Sequence, residues 1–128
     1  EKVRSNFMAG AINHLLLEGT NMSSYVIYHY DITDRSQIDE LTRLSLPVNE
    51  KYNAKVVIGS PVKALEGTTF THIVMLEFKS FDAAKEYYYS EEHKEITVLR
   101  EKITSGWATI VPGDSETQSV VDSGYFSA

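Results

Sequence analysis

The chain has 128 residues, 42% of them hydrophobic, which is enough to bury the core of one folded domain. Its formal net charge of −6 lacks the basic footprint that nucleic-acid-binding proteins need, so no nucleic-acid partner is predicted. The absence of cysteine excludes disulfides and thiolate chemistry and is compatible with a cytoplasmic location.

Residues 1–21 are predicted to be an extension ahead of the folded domain. Apolar side chains recur there at helical spacing, at Phe7, Met8, Ala11, Ile12, Leu15 and Leu16. This spacing favours a short amphipathic helix that docks on a subunit. Gly10 and Asn13 weaken such a helix, so a disordered leader or vector-derived segment is the alternative. No apolar run in the chain approaches the roughly 18 residues of a membrane span, so no membrane partner is predicted.

The segment SSYVIYHYDIT (residues 23–33) is rich in β-branched and aromatic residues and predicts the first strand. Successive side chains of a strand point to opposite faces of the sheet. One face therefore carries Val26, Tyr28, Tyr30 and Ile32, and the other carries Tyr25, Ile27, His29 and Asp31.

A helix is predicted after this strand. Asp34 is a typical N-cap residue, and Gln37 three positions later is its reciprocal partner. The apolar stripe that follows is Ile38, Leu41, Leu44, Val48 and Tyr52. Pro47 lies inside this pattern without an N–H group, so we expect a kink or break there. Asn53 is expected to end the helix in the left-handed conformation.

Two further strands are predicted over residues 55–65 and 69–79, joined by a turn at Glu66 and Gly67. The sequence Gly-Ser-Pro at 59–61 suggests a bulge near a sheet edge. In the third strand His72, Val74, Leu76 and Phe78 share the face that we assign to the helices, whereas Ile73, Met75 and Glu77 share the other face.

The next helix is expected to begin at Ser80, which is a typical N-cap residue, and its stripe is Phe81, Ala84 and Tyr88. Tyr88 is therefore expected to face the core, with Tyr87 and Tyr89 as its amphipathic borders. Ser90 caps a last helix, whose stripe is Ile96, Leu99 and Ile103. Residues 107–111 predict a final strand, and residues 114–128 a mostly polar tail whose apolar residues anchor it on a partner.

The predicted order β-α-β-β-α-β is the ferredoxin-like α+β arrangement, a four-stranded antiparallel sheet with helices on one face. The other face then needs a cover. Because Tyr25, Ile27, Ile73 and Met75 make that face apolar, we expect a second copy to pack against it in a homodimer.

The order and spacing of three segments resemble the family known as domain of unknown function 1330, in the dimeric α/β-barrel superfamily. The segments are YVIYHYDITD (residues 25–34), KYNAKVVIGSPVKALEG (51–67) and VMLEFKSFDAAKEYYYS (74–90), together with Arg100. The resemblance covers residues 22–113 and implies a ferredoxin-like domain that forms a dimeric α/β barrel. It brings no established catalytic residues.

The chain departs from the family pattern in its second strand. A commonly present arginine is missing there, where this sequence has Ile58, Gly59 and Ser60. We regard Arg100 in the final helix as the candidate for the positive charge that this arginine no longer supplies.

His29 and Glu77 are the candidate catalytic residues, with Tyr25, Asp31 and Arg100 as candidates that line a ligand. His29 and Glu77 share the face without helices, and enclosed histidines and carboxylates are the groups that proteins tune for acid–base work. In antiparallel strands His29 reaches Glu77 only in one register or through a water molecule. The alternative is that both are hydrogen-bonded polar residues of a hydrated dimer interior.

The sequence contains few other signals of catalysis or ligand binding. The histidines lack metal-binding spacing, and no glycine-rich phosphate loop or dinucleotide fingerprint is present, so neither a metal nor a cofactor is predicted. His14 and His93 are expected at the surface, and His72 in the core or at its rim.

Two functions from different classes remain open. The first is a cofactor-free enzyme or binder of a small, partly apolar organic molecule, held between sheet and helices or within the barrel. The resemblance implies it, since several relatives in the superfamily are small monooxygenases, isomerases or dehydratases. The alternative is a non-catalytic interaction or regulatory module whose dimer is the functional object.

Overall fold

The computed structural model describes residues 23–113. The elements in chain order are β1 (Ser24–Ile32), a 3₁₀ turn (Arg35–Gln37), α1 (Ile38–Lys51), β2 (Lys55–Pro61), β3 (His72–Phe78), α2 (Phe81–Tyr88), α3 (Glu91–Ile103) and β4 (Thr104–Val111). The sheet order is β2-β3-β1-β4, and each neighbouring pair is antiparallel. The predicted ferredoxin-like α+β fold is confirmed.

The register of the sheet fixes which side chains can meet. In β1, Tyr25 lies opposite Glu77 and His29 opposite Ile73, while on its other side His29 pairs with Trp107 of β4. The edge strand β2 carries a bulge between Val56 and Ile58, earlier than predicted. The bulge turns Ile58 to the face without helices, because Ile58 pairs with Met75.

The helix α1 runs unbroken through Pro47, so of the kink or break predicted there the break is wrong. Pro47 and Arg43 are exposed, and water can therefore bond the Arg43 carbonyl that a proline at position 47 leaves unpaired. The apolar stripe, with Val48 buried, holds both halves of the helix on the core. Asn53 ends this segment at φ 56°, as predicted.

The tyrosine of α2 that enters the core is Tyr87, not Tyr88. Tyr87 is 2% exposed, Tyr88 is half-buried and Tyr89 is 69% exposed. The Ser80 side chain accepts the Ala83 N–H, as expected of the N-cap, and the short helix then turns position 87 onto the sheet. There the Tyr87 ring packs 5.0 Å from the Phe78 ring, between centroids.

The core lies between the sheet and the helices. Its buried members are Val26, Tyr28, Val48, Leu76, Phe78, Ala84, Tyr87 and Ile96. The opposite side of the sheet, which we call the open face, carries Tyr25, Ile27, His29, Asp31, Ile58, Ile73, Met75, Glu77, Trp107 and Val111. Within residues 23–113 no helix covers the open face, and Ile58, Trp107 and Val111 are 41%, 47% and 38% exposed.

Among residues 23–113, no helix has the length and apolar character that crossing a membrane requires. The predicted helix in residues 1–21, His14 and the tail of residues 114–128 lie outside the described residues.

Candidate functional site

His93, expected at the surface, is fully buried. Its backbone N–H donates to the Ser90 side chain that caps α3, and only Tyr89 and Ser90 separate α3 from α2. Because this junction is short, the first turn of α3 packs against β1, where His93 meets Tyr28. The His93 ring consequently lies 4.7 Å from the Tyr87 ring and 4.6 Å from the Tyr88 ring, between centroids. The surface prediction for His93 is wrong because the docking of one helix against another is not a local property.

A chain of hydrogen bonds runs through this histidine. The Tyr28 hydroxyl lies 2.8 Å from His93 Nε2, and the Thr97 hydroxyl lies 3.2 Å from Nδ1. The Tyr87 hydroxyl donates to the Asn49 side chain at 2.8 Å. These bonds link β1 to α3 and α2 to α1 within the core.

Burial sets the protonation of these groups. Desolvation lowers the pKa of His93 to about 4, and the nearby Arg100 charge acts in the same direction. Burial also raises the pKa of Tyr87 to about 12 and that of Tyr28 well above its ordinary value. At neutral pH the imidazole is uncharged and both phenols keep their protons.

A cavity of about 250 Å³ opens between the sheet, α1 and α3. Its apolar wall is Leu41, Leu46, Val56, Val74, Leu76 and Ile96. Its polar lining is Tyr28, Tyr30, Thr42, Ser45, Asn49, Tyr87 and Arg100. A mainly aliphatic wall with a few placed polar groups is the usual composition of a small-molecule site.

Arg100 is the charged residue of this cavity. Its guanidinium carbon lies 4.5 Å from the centre of the Tyr28 ring, a cation–π contact. Its Nη1 atom is buried and makes no hydrogen bond to the protein within residues 23–113. A buried, unpaired donor on a cation is costly, and an anionic partner would remove that cost.

The residues predicted as a site do not come together in one place. His29 and Glu77 are four positions apart in register, which is about 13 Å along the strands, so they form no pair. Arg100 lies on the helix side of the sheet, across from Tyr25 and Asp31. The single predicted cluster is thus divided between two faces.

On the open face each predicted residue has its own partner. The Tyr25 hydroxyl donates to Glu77 Oε2 at 3.2 Å, and the Asp31 carboxylate accepts the Thr71 N–H at 2.9 Å. His29 Nε2 lies 3.0 Å from the Thr69 hydroxyl. Its ring meets the rings of Phe70 and Trp107 edge-on, each at 5.3 Å between centroids.

Sequence reasoning placed Tyr28 on the correct face but missed its role. The alternation of β1 assigned Tyr28 to the helix side, where a buried hydroxyl needs a partner. No local signal in the sequence identified His93 as the partner of Tyr28, or Asn49 as the partner of Tyr87.

Within residues 23–113, no three His, Asp or Glu side chains lie close enough to hold a metal ion.

This architecture, with a cavity between sheet and helices, defines a small ferredoxin-like α+β domain. Residues 23–114 match the family model described as "Domain of unknown function (DUF1330)", and the chain belongs to that family. The earlier resemblance is therefore confirmed. No curated protein matches the chain in sequence.

Solved structures share this fold at low identity. RPA0582, a protein of unknown function from Rhodopseudomonas palustris, is 14% identical with a TM-score of 0.57, over 85% of this chain and 95% of that chain. Its methylated form is 15% identical with a TM-score of 0.60, over 81% and 92%. HapK from Hahella chejuensis is 8% identical with a TM-score of 0.51, over 73% and 93%. At these identities the likeness concerns the fold alone.

Proposed function

We propose that the protein binds a small, partly apolar organic molecule with an acidic oxygen, in the cavity between sheet and helices and without a cofactor. The observation that carries this proposal is Arg100, which lines the cavity and whose buried Nη1 atom has no hydrogen-bond partner in residues 23–113. A carboxylate, enolate or phenolate oxygen of the ligand pairs with this guanidinium.

The cavity limits what else the ligand carries. About 250 Å³ lies just below the range of about 300–1,000 Å³ for sites of drug-sized molecules, so the ligand is small. The aliphatic wall favours a hydrocarbon body, such as a ring or short branched chain. The Asn49 and Tyr28 side chains flank this body and fix its orientation through hydrogen bonds.

Binding is tested by thermal unfolding with benzoate and 4-nitrophenol as probes, and with cyclohexanol as a neutral control. At ten times its Kd, a bound probe stabilises the fold by about 1.4 kcal/mol, which raises Tm by about 5 °C. We expect this rise for the acidic probes in the wild type and a much smaller one for cyclohexanol.

The variant Arg100→Gln isolates the charge. We expect it to weaken probe binding about 10- to 100-fold, since a charge-assisted hydrogen bond contributes about 1.5–3 kcal/mol. Without ligand it should be no less stable than the wild type, because it removes an unpaired buried cation. Arg43→Gln is the matched control, since Arg43 is exposed and already paired with Glu40. Equal probe affinity in wild type and Arg100→Gln would place binding elsewhere.

We also infer that the protein is a homodimer that covers the open face. Its apolar side chains are the support, since Ile58, Trp107 and Val111 are exposed alongside half-buried Ile27 and Met75. A two-fold axis brings two identical apolar faces together and buries both.

His29, Glu77, Tyr25 and Asp31 then lie between the two sheets. Their roles as catalytic and ligand-lining residues are part of the proposal, with His29 and Glu77 acting separately because each has its own partner. Separate His29→Ala and Glu77→Gln variants that bind both probes and dimerise normally would return them to a structural role.

A non-catalytic dimeric interaction module is the second candidate function, and the apolar open face favours it. It predicts a stable dimer whose Tm responds to none of the probes. A cytoplasmic location is part of either proposal, supported by the lack of cysteine.

A further inference from the structure

We propose that Tyr28 and His93 accept the proton of a ligand hydroxyl group, so that the cavity converts a bound enol or phenol into its anion. This inference rests on the proposed binding function and adds to it a substrate class and a proton-transfer step.

The geometry orders the two residues from the cavity inward. Tyr28 and Arg100 line the cavity, whereas His93 does not and lies behind Tyr28. The route from the cavity to the imidazole therefore runs through the Tyr28 hydroxyl, which lies 2.8 Å from Nε2. Transfers along hydrogen bonds of this length need no movement of the heavy atoms.

The tautomer of the histidine suits this direction of transfer. The Nδ1 atom of the imidazole lies 3.2 Å from the Thr97 hydroxyl, which can accept its proton. We assign the proton to Nδ1, which leaves the Nε2 lone pair to accept from Tyr28. The Tyr87 and Tyr88 rings pack against the imidazole and hold its plane.

Arg100 couples proton transfer to anion binding. In the free protein burial is the largest effect that opposes protonation of His93, and repulsion from the Arg100 charge acts in the same direction. An anion beside the guanidinium offsets that repulsion, so the ligand anion and the imidazolium stabilise one another. The groups that face His93 are Tyr28 from β1, Tyr87 and Tyr88 from α2, and Thr97 and Arg100 from α3. None of them is a carboxylate.

The step balances without another reactant. The ligand O–H bond breaks, and its proton bonds to Tyr28 Oη while the Tyr28 proton moves to His93 Nε2. The electron pair stays on the ligand oxygen, which faces Arg100 as an anion. The products are the ligand anion and an imidazolium that donates from both ring nitrogens.

4-Nitrophenol tests the step because its anion absorbs at longer wavelength than the neutral phenol. At one pH unit below its solution pKa, the free probe is about 90% neutral. We expect the wild type to bind it chiefly as the coloured anion. Calorimetry in two buffers of different ionisation enthalpy should show almost no proton released to the solvent, because the proton stays on His93.

The variant His93→Gln retains an acceptor for Tyr28 but cannot take a proton, and Tyr28→Phe interrupts the path to His93. In either variant we expect the bound anion-to-phenol ratio to fall at least fivefold, with affinity reduced less than in Arg100→Gln. Circular dichroism establishes that each variant is folded, and His72→Gln is the control for loss of a histidine.

The outcomes separate the two proposals. An unchanged ratio in folded His93→Gln, or release of about one proton per bound anion from the wild type, would overturn the transfer and leave binding intact. Failure of the wild type to bind either acidic probe would overturn the binding function, and the transfer with it.

Discussion

At the residue scale, His93 should control how stability depends on pH. Its pKa of about 4 in the folded protein lies below the ordinary value of about 6.5 in the unfolded chain. Between these values the unfolded chain binds a proton that the folded protein does not. Stability from the neutral histidine is therefore complete above about pH 6.5 and decreases as the pH falls towards 4.

We expect this histidine to contribute up to about 1.4 kcal/mol per pH unit, and about 3 kcal/mol across the window. Urea unfolding at several pH values measures it in the wild type, in His93→Gln and in the control His72→Gln. Carboxyl groups in general titrate near pH 4. The contribution of His93 is therefore the difference in unfolding free energy between wild type and His93→Gln. Parallel curves for these two proteins would mean that His93 is not held neutral by the fold.

Arg100 illustrates which properties of a residue can be predicted from the sequence and which cannot. Arg100 does lie in the last helix, as predicted, and it lines a cavity. Its neighbours were misjudged. Placing it beside Tyr25 and Asp31 required knowledge of which sheet face α3 covers, and that follows from helix packing rather than from the residues themselves.

At the element scale, β4 depends on Gly106 for its pairing with β1. A Cβ atom at this position would lie 2.6 Å from the Tyr30 Cα and collide with the His29 carbonyl. Only a residue without a side chain permits this approach of the two strands.

We expect Gly106→Ala to cost about 2–3 kcal/mol or more in urea unfolding, since the strand must move to relieve the overlap. Gly59→Ala on the edge strand β2 is the matched control, because its nearest contact would be 3.8 Å away, at Val56 Cγ1. It should change stability by less than about 0.5 kcal/mol. A neutral effect of Gly106→Ala would show that β1 and β4 are not so closely paired.

Elements with local signals were predicted well. Serine caps at 80 and 90 begin α2 and α3 because each hydroxyl accepts an N–H three residues later. The bulge in β2 and the unbroken path of α1 through Pro47 were predicted less well, since pairing and packing across the fold decide them.

At the scale of the whole molecule, the open face should hold two copies together. Trp107→Glu places a charge on this face, beside His29. We expect the variant to sediment as a monomer at micromolar concentration where the wild type is a dimer, because burying an unpaired carboxylate is costly.

Val98→Glu is the matched control for this change. Val98 is 56% exposed on α3, away from the open face, so its replacement should leave the dimer unchanged. Monomeric wild-type protein, or equal sedimentation of all three proteins, would rule out the open face as the interface.

The sequence by itself determined the element order, the serine caps of α2 and α3, the strand alternation and the family. These follow from contacts between residues a few positions apart, and the 2- and 3.6-residue periods record them directly. Only the tertiary structure decided the register that separates His29 from Glu77, the burial of His93, and the meeting of Arg100 with Tyr28. These depend on packing between distant segments, where a shift of one residue in a strand or a small rotation of a helix exchanges a buried neighbour for an exposed one.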